Sequence, residues 1–154
     1  VELARPRTLA IVRMAARTGA PAADVGQIFR PGERIRLLVK PSDDSHVYCY
    51  LQDETRRIVR FYPNRFDKSA LVKAEAPLAI PGKMRFELVA NSLKVTETIA
   101  CFASARDVIA ELPPAVTGTD FAPLPVASLE DVTGAFERLG GATLAQARLR
   151  VRFK

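Results

Sequence analysis

The sequence predicts a mainly β protein: an antiparallel, immunoglobulin-like β-sandwich with about seven strands and one C-terminal helix before the last strand. Several short segments alternate apolar and polar residues with a period of two, which is typical of half-buried strands. The 11 prolines and 8 glycines are spread along the chain and suit many turns. One segment has a strong helical pattern, and the 154 residues fit a single domain, residues 1–154.

The first two predicted strands lie before residue 41. Residues 9 to 14 are mostly apolar and suit a strand. The next strand is clearer, because Ile35, Leu37 and Val39 alternate with mostly basic neighbours after the turn at Pro31. These three side chains are therefore expected in the core.

Residues 46 to 53 and 57 to 63 are predicted to form a hairpin. Both strands must direct their apolar residues to one face of the sheet, which requires a loop with an odd number of residues, most simply residues 54 to 56. The pairs are then Leu51 with Val59, Cys49 with Phe61, Asp53 with Arg57, Tyr50 with Arg60, and Tyr48 with Tyr62. Aromatic and oppositely charged cross-strand pairs each contribute roughly 0.2–1 kcal/mol. This register places Phe61 in the core and all three tyrosines on the outer face.

The second half of the chain contains three more predicted strands and the helix. The first of these strands follows the turn at Pro81, with Met84, Phe86 and Leu88 inward, and the other two comprise residues 94–105 and residues 145–154. Residues 99 to 103 are apolar on both faces, so their strand is expected at the centre of a sheet. The helix is expected to be capped by Ser128, to bury a stripe of Leu129, Val132, Phe136 and Leu139, and to end at Gly140-Gly141.

The net charge of +6 permits attraction to nucleic acid, anionic lipid or acidic polysaccharide. The basic faces are Arg34, Arg36 and Lys40 on one strand and Arg148, Arg150, Arg152 and Lys154 on another. They are interpreted as charged edges that oppose aggregation, or as a surface for an anionic partner. We expect no specific nucleic-acid binding, because the C-terminal arginines lack aromatic stacking partners on their own face.

No catalytic or metal-binding pattern is found. His46 is the single histidine, and it follows Asp43 and Asp44 in what is interpreted as a solvated turn. Two cysteines and one histidine cannot make the usual four-ligand zinc site without carboxylates. We therefore expect no enzyme, no metal and no cofactor. The chain has no apolar run of about 18 residues that could span a membrane. Its first residue is Val, which suggests a processed chain or an excised part of a longer one.

The candidate binding residues lie in and beside the stretch "IVRFYPNRFDKSALV". Pro63 is expected to end the strand, and Asn64 to accept a left-handed turn. Phe66 and Leu71 are expected to fold back as a plug over the core. An exposed aromatic cluster with arginine has the composition of an interface hot spot, unless the helix after Ser128 covers it. The candidate residues are Tyr48, Tyr50, Arg60, Tyr62, Asn64 and Arg65.

The segments "FRPGERIRLLVKP", "VYCYLQD", "IVRFYPNRFDKS", "LAIPG", "FELVA" and "ETIACFAS" carry a family resemblance. From Phe29 to Ala103, about half of the chain, the sequence resembles the bacterial family called domain of unknown function 4384. The most specific segment is the aromatic strand followed by "FYPNRF". The resemblance implies a β-sandwich module of exported or envelope-associated proteins, found beside secretion and surface-assembly components, and a family without assigned catalytic residues.

The resemblance also bears on the cysteines and on function. By themselves, Cys49 and Cys101 are either two buried thiols or one disulfide, and export favours the disulfide. The function hypothesis is a non-enzymatic module of the periplasm or cell envelope that binds another envelope protein. The alternative is a cell-wall or polysaccharide-binding module, since tyrosines on a sheet face can stack on sugars.

Overall fold

The structure is a computed structural model that describes residues 6–14, 28–30, 32–89 and 97–153. The predicted fold class is confirmed, because the described chain is mainly β and sandwich-like. Its strands are β1 (Leu9–Arg13), β2 (Ile28–Phe29), β3 (Arg34–Ile35), β4 (Leu37–Pro41), β5 (Ser45–Gln52), β6 (Ile58–Tyr62), β7 (Leu71–Val72), β8 (Leu78–Ile80), β9 (Leu88–Val89), β10 (Glu97–Ser104) and β11 (Ala145–Phe153). Its α-helices are α1 (Pro114–Thr117) and α2 (Leu129–Gly140).

The strands form two larger sheets and one small one. The larger sheet has the order β2-β11-β10-β5-β6. Strand β6 pairs with the C-terminal part of β5, and β7 pairs with the N-terminal end of β5. This sheet is antiparallel except for the pairing of β2 with β11. The second sheet is β1-β4-β8, and β3 pairs with β9. The described residues contain eleven strands where about seven were expected, because strands such as β3 and β4 separate where the chain changes its pairing partner.

The sandwich core lies between the two larger sheets. Val39 and Ile80 of the β1-β4-β8 sheet pack in one cluster with Val47, Ile99 and Val151 of the larger sheet. The expected central strand is confirmed, because β10 lies between β5 and β11 and is buried on both faces. The alternation that predicted Ile35, Leu37 and Val39 as inward residues is also confirmed.

Helix α2 covers the other face of the larger sheet. The predicted apolar stripe is confirmed: Leu129, Val132 and Phe136 are buried against this face, and Leu139 packs against it partly buried. Ser128 occupies the N-cap position, but its side chain makes no capping hydrogen bond. The Asp131 carboxylate instead accepts a hydrogen bond from the Ala127 N–H at 3.1 Å. None of the described helices is both long enough and apolar enough to cross a bilayer.

A β-bulge changes the register of the β5–β6 hairpin halfway along. The confirmed pairs are Tyr50 with Arg60, Leu51 with Val59, and Asp53 with Arg57. The register then shifts between Cys49 and Tyr50, so Cys49 lies opposite Tyr62 and not opposite Phe61. A bulge adds one residue to one strand and redirects the side chains beyond it. Phe61 and Tyr62 are therefore both buried in the sandwich core, and the predicted pairing of Tyr48 with Tyr62 is wrong.

The predicted strand of residues 84–88 is wrong over most of its length. Residues 81–87 lie outside the strands, and β9 begins at Leu88. The N–H of Met84 closes a turn on the Pro81 carbonyl at 2.9 Å. Met84 and Phe86 are partly buried at the margin of the sandwich core, not inside it. The side chains of Arg152 and Phe153, and all of Pro31 and Lys154, lie outside the described part of the chain.

Candidate functional site

The three tyrosines that the sequence placed on an exposed face are buried. Tyr48, Tyr50 and Tyr62 are each at most 1% exposed. Burial raises the pKa of each phenol above its ordinary value. The prediction of an outward tyrosine cluster is therefore wrong.

Each tyrosine hydroxyl has a partner inside the protein. The Tyr48 hydroxyl donates to the Asp107 carboxylate at 2.6 Å and accepts from the Val108 N–H at 2.9 Å. The Tyr50 hydroxyl donates to the Val116 carbonyl at 3.0 Å, and the Tyr62 hydroxyl donates to the Ser69 carbonyl at 2.7 Å. A buried tyrosine normally satisfies its hydroxyl in this way, so the three residues serve the fold.

Two different elements bury these rings. On the outer face of the larger sheet, the Phe136 ring of α2 lies 5.2 Å from the Tyr48 ring and 5.9 Å from the Tyr50 ring. The alternative in which the helix after Ser128 covers this face is thus correct for both residues. Tyr62 is buried on the opposite face, in the sandwich core, because of the bulge.

The remaining candidates, Arg60, Asn64 and Arg65, lie together around a shallow cavity of about 280 Å³. Arg60 is partly buried and donates to the carbonyls of Thr117 and Pro63 at 3.0 and 2.7 Å. These bonds hold the C-terminal end of α1 beside β6 and the turn that follows it. Arg60 therefore joins two parts of the fold.

Asn64 is buried and shapes the turn that follows β6. Its amide donates to the Phe61 carbonyl at 2.7 Å. Its side-chain oxygen accepts from the N–H groups of Phe66 and Asp67 at 2.8 and 3.0 Å. Asn64 is not among the residues with positive φ, so the expected left-handed conformation is wrong and hydrogen bonding is its role here.

Arg65 is exposed and bound to Asp120 by a two-pronged contact. Its Nη2 and Nε lie 2.9 and 3.2 Å from the two carboxylate oxygens, and its backbone N–H donates to the same carboxylate at 2.7 Å. Hydrogen bonding from Arg65 holds the pKa of Asp120 below its ordinary value. The contact ties the turn after β6 to the segment that precedes α2.

Phe66 is exposed instead of forming a plug, and Leu71 is exposed as well. Their exposed fractions are 43% and 44%, so both predicted roles are wrong. Phe66 lies on the Phe86 ring, with centroids 6.5 Å apart and planes 14° from parallel. The Phe121 ring is 6.4 Å from Phe66 and 5.0 Å from Phe86. These three rings and Arg65, whose guanidinium lies 5.7 Å from the Phe121 centroid, are named the aromatic patch.

Phe86 and Phe121 were not among the sequence candidates. Phe121 lies in the irregular segment "TGTDFAPLP", and its backbone has a positive φ of 62°. A single aromatic residue in a segment of small and turn-forming residues is the sequence signal that indicates a packing contact at Phe121. Its N–H donates to the Arg60 carbonyl at 3.0 Å, and Leu124 bonds to Ile58 in the same way at 2.8 Å. This segment therefore covers the outer edge of β6.

A groove of about 530 Å³ is lined in part by Phe86. Its lining combines buried aliphatic residues, partly buried Met14, Met84 and Phe86, and exposed charged residues. The charged residues are Arg34, Arg36, Arg85 and Glu87. We name this cavity the basic groove. Phe86 belongs to both the aromatic patch and the basic groove, so the two form one continuous surface.

Cys49 and Cys101 form a disulfide between neighbouring strands. They lie opposite each other on β5 and β10, with Cα atoms 4.1 Å apart, and both are fully buried in the sandwich core. The disulfide that was favoured from the sequence is present. Among the described residues, no group of three or more His, Cys, Asp or Glu side chains has an arrangement that could hold a metal ion.

A comparison with protein families matches residues 28–107 to the family described as "Domain of unknown function (DUF4384)". The chain belongs to this family. The matched part runs from β2 through β10 and ends at Asp107, whose carboxylate accepts the hydrogen bond from the Tyr48 hydroxyl. No curated protein and no solved structure matches the chain.

Proposed function

We propose that this DUF4384 protein is a non-enzymatic interaction module of the bacterial envelope or of a secretion-associated assembly, and that it binds another protein through the aromatic patch. The observation that carries the proposal is the 43% exposure of Phe66 on top of two further phenylalanine rings. Aromatic residues and arginine are the groups that most often supply binding energy at protein interfaces.

The surroundings of Phe66 support a preformed binding surface. Asn64 fixes the backbone of the turn through both ends of its amide. Asp120 fixes Arg65 from the other side. A side chain that is already held in place loses less conformational entropy when a partner binds, so more of the contact energy appears as affinity.

The disulfide supports a location outside the cytoplasm. Disulfides persist in oxidising compartments such as the bacterial periplasm and are rare where glutathione and thioredoxin keep thiols reduced. The Cys49–Cys101 bond suits such a compartment. We therefore propose a periplasmic or envelope-associated protein.

Leu71 provides a matched control for the test. Leu71 and Phe66 are almost equally exposed, but Leu71 lies outside the aromatic patch. Envelope extract would be passed over immobilised wild type, Phe66→Ala and Leu71→Ala, and the captured proteins compared by quantitative mass spectrometry. We expect a protein that wild type and Leu71→Ala retain and that Phe66→Ala loses. Equal capture by all three chains would contradict the proposal.

The polysaccharide-binding alternative rested on outward tyrosines, and these are buried. Sedimentation with purified peptidoglycan tests it directly. Binding to peptidoglycan that Phe66→Ala abolishes, together with no Phe66-dependent capture of a protein, would favour the alternative. We expect the wild-type chain to stay in the supernatant.

We also propose that nucleic acid is not a specific partner. Arg148 on β11 is already paired with the Glu130 carboxylate at 3.0 Å and donates to the Thr133 hydroxyl at 2.9 Å. The neighbouring exposed residue Arg150 lies opposite Thr98, which offers no stacking ring. Binding that depends on charge alone is weak and falls steeply with salt concentration.

A further inference from the structure

We infer that the basic groove binds an acidic segment of the partner protein, in which an apolar side chain is flanked by Asp or Glu. This inference rests on the proposed function, because it specifies the chemistry of the protein partner. It adds a second binding region to the aromatic patch and predicts the composition of what enters it.

The groove arises where one edge of the fold changes its pairing partner. Ile35 of β3 pairs with Leu88 of β9, and Leu37 of β4 pairs with Ile80 of β8. The segment between β8 and β9 leaves the sheet, so a gap opens between the two paired regions. The four paired residues line the groove, and they are buried in the sandwich core. The gap is therefore built on rigid elements of the core.

The apolar side chains of the groove are suited to a side chain of a protein partner. Met14, Met84 and Phe86 line it and are partly buried. Methionine is flexible and polarisable and adapts to different partner side chains, and Met, Arg and aromatic residues are enriched in protein interfaces. The volume of about 530 Å³ lies within the range of pockets that bury a bound group.

The charges of the groove are not balanced. Glu87 is its acidic residue, and it pairs with Arg34 at 3.3 Å. Arg36 and Arg85 are exposed, and their side chains form no ion pair within the described chain. Two uncompensated guanidinium groups beside an apolar cavity favour an occupant that carries carboxylates next to an apolar group.

Continuity with the aromatic patch favours a peptide over a lipid or a sugar. Phe86 contributes to both surfaces, and its ring is 6.5 Å from the Phe66 ring. An extended segment of a protein can place one side chain in the groove and others against the patch at the same time. The groove and the patch then act as parts of one interface, with the basic groove selecting the charge of the segment.

A random peptide library displayed on phage provides the probe. It would be selected on the wild-type chain with its disulfide intact, and the enriched peptides would be synthesised. Their affinities would be measured by fluorescence polarisation for wild type, for Arg36→Glu with Arg85→Glu, and for Lys40→Glu with Arg150→Glu. The last pair makes the same change in net charge at exposed residues outside the groove. Circular dichroism would check that each variant is folded.

We expect the enriched peptides to carry Asp or Glu beside an apolar residue. Binding should weaken about tenfold or more when both groove arginines are reversed, and much less in the control. Enriched peptides without an acidic excess, or equal affinity for the groove and control variants, would overturn the inference. Absence of any enrichment, with phosphatidylglycerol vesicles binding in an Arg36- and Arg85-dependent manner, would also overturn it, in favour of an anionic lipid.

Failure of this inference can be distinguished from failure of the proposed function. If the selected peptides lose affinity with Phe66→Ala but not with the groove variant, the aromatic patch binds protein and the groove does not select it. If neither Phe66→Ala nor the groove variant changes the affinity, both proposals are wrong.

Discussion

Replacing Tyr62 by alanine tests the β-bulge and the two-sided core that it creates. In an unbulged hairpin, Tyr62 would lie beside Tyr48 on the outer face of the larger sheet. In the structure Tyr62 lies opposite Cys49 and is 1% exposed in the sandwich core. Its neighbour Phe61 is buried in the same cluster, although adjacent residues of a regular strand face opposite sides. Tyr62→Ala and Phe61→Ala should therefore have similar effects on stability.

The magnitudes follow from burial. Removing a fully buried aromatic side chain leaves a cavity and costs about 3–5 kcal/mol of unfolding free energy, which we expect for both variants. Tyr62→Phe keeps the ring and loses the hydrogen bond to the Ser69 carbonyl, so it should cost about 0.5–1.5 kcal/mol. Phe66 is 43% exposed. Phe66→Ala should therefore cost only about 1–2 kcal/mol, since full burial of a phenylalanine contributes about 1.5–3 kcal/mol.

Urea unfolding of the disulfide-bonded protein, followed by circular dichroism, measures these differences. Leu71→Ala serves as the exposed control, and the slope of free energy against urea concentration must stay constant for the comparison to hold. The expected order of destabilisation is Tyr62→Ala close to Phe61→Ala, and both well above Phe66→Ala. If Tyr62→Ala were as mild as Phe66→Ala, Tyr62 would lie outside the core and the bulge would be refuted.

The disulfide, the buried tyrosines and the pair of Arg65 with Asp120 can each be tested in solution. Thiol titration of the denatured, unreduced protein should find no free thiol, and two free thiols would exclude the bond between Cys49 and Cys101. The three tyrosines should form no tyrosinate at their ordinary pKa of 10.0 while the chain is folded. Because burial raises their folded pKa, they stabilise the fold below pH 10, and this contribution is lost as the pH rises further; normal titration of a folded chain would disprove their burial. NMR titration should give the Asp120 carboxyl a pKa below 3.8 that returns toward this value in Arg65→Ala. At pH values above the ordinary pKa, the contact therefore stabilises the turn. This stabilisation is lost as the pH falls through the pKa that the carboxyl has in the folded protein. An unchanged pKa in the variant would show that the pair does not form in solution.

The sequence by itself determined the local structure. Alternation of apolar and polar residues located the long strands, because one side of each strand packs against the sandwich core. The loop at residues 54–56 and the pairing of Tyr50 with Arg60 followed from the requirement that both strands bury the same face. The apolar stripe located α2, and the two glycines marked its end. The prediction that Cys49 faces the core was also correct. Each of these features depends on residues close together in the chain or on one neighbouring strand.

The tertiary structure alone decided which aromatic residues are exposed. Tyr48 and Tyr50 alternate with core residues as solvent-facing residues would, and an amphipathic tyrosine suits either water or a covered face with a hydrogen-bond partner. Whether Phe136 packs on them depends on a helix about 80 residues further along the chain. The bulge that buries Tyr62 and the gathering of Phe66, Phe86 and Phe121 also need contacts between distant segments. Local periodicity shows which side chains share a face of a strand, but the packing of the other layers decides whether that face meets water.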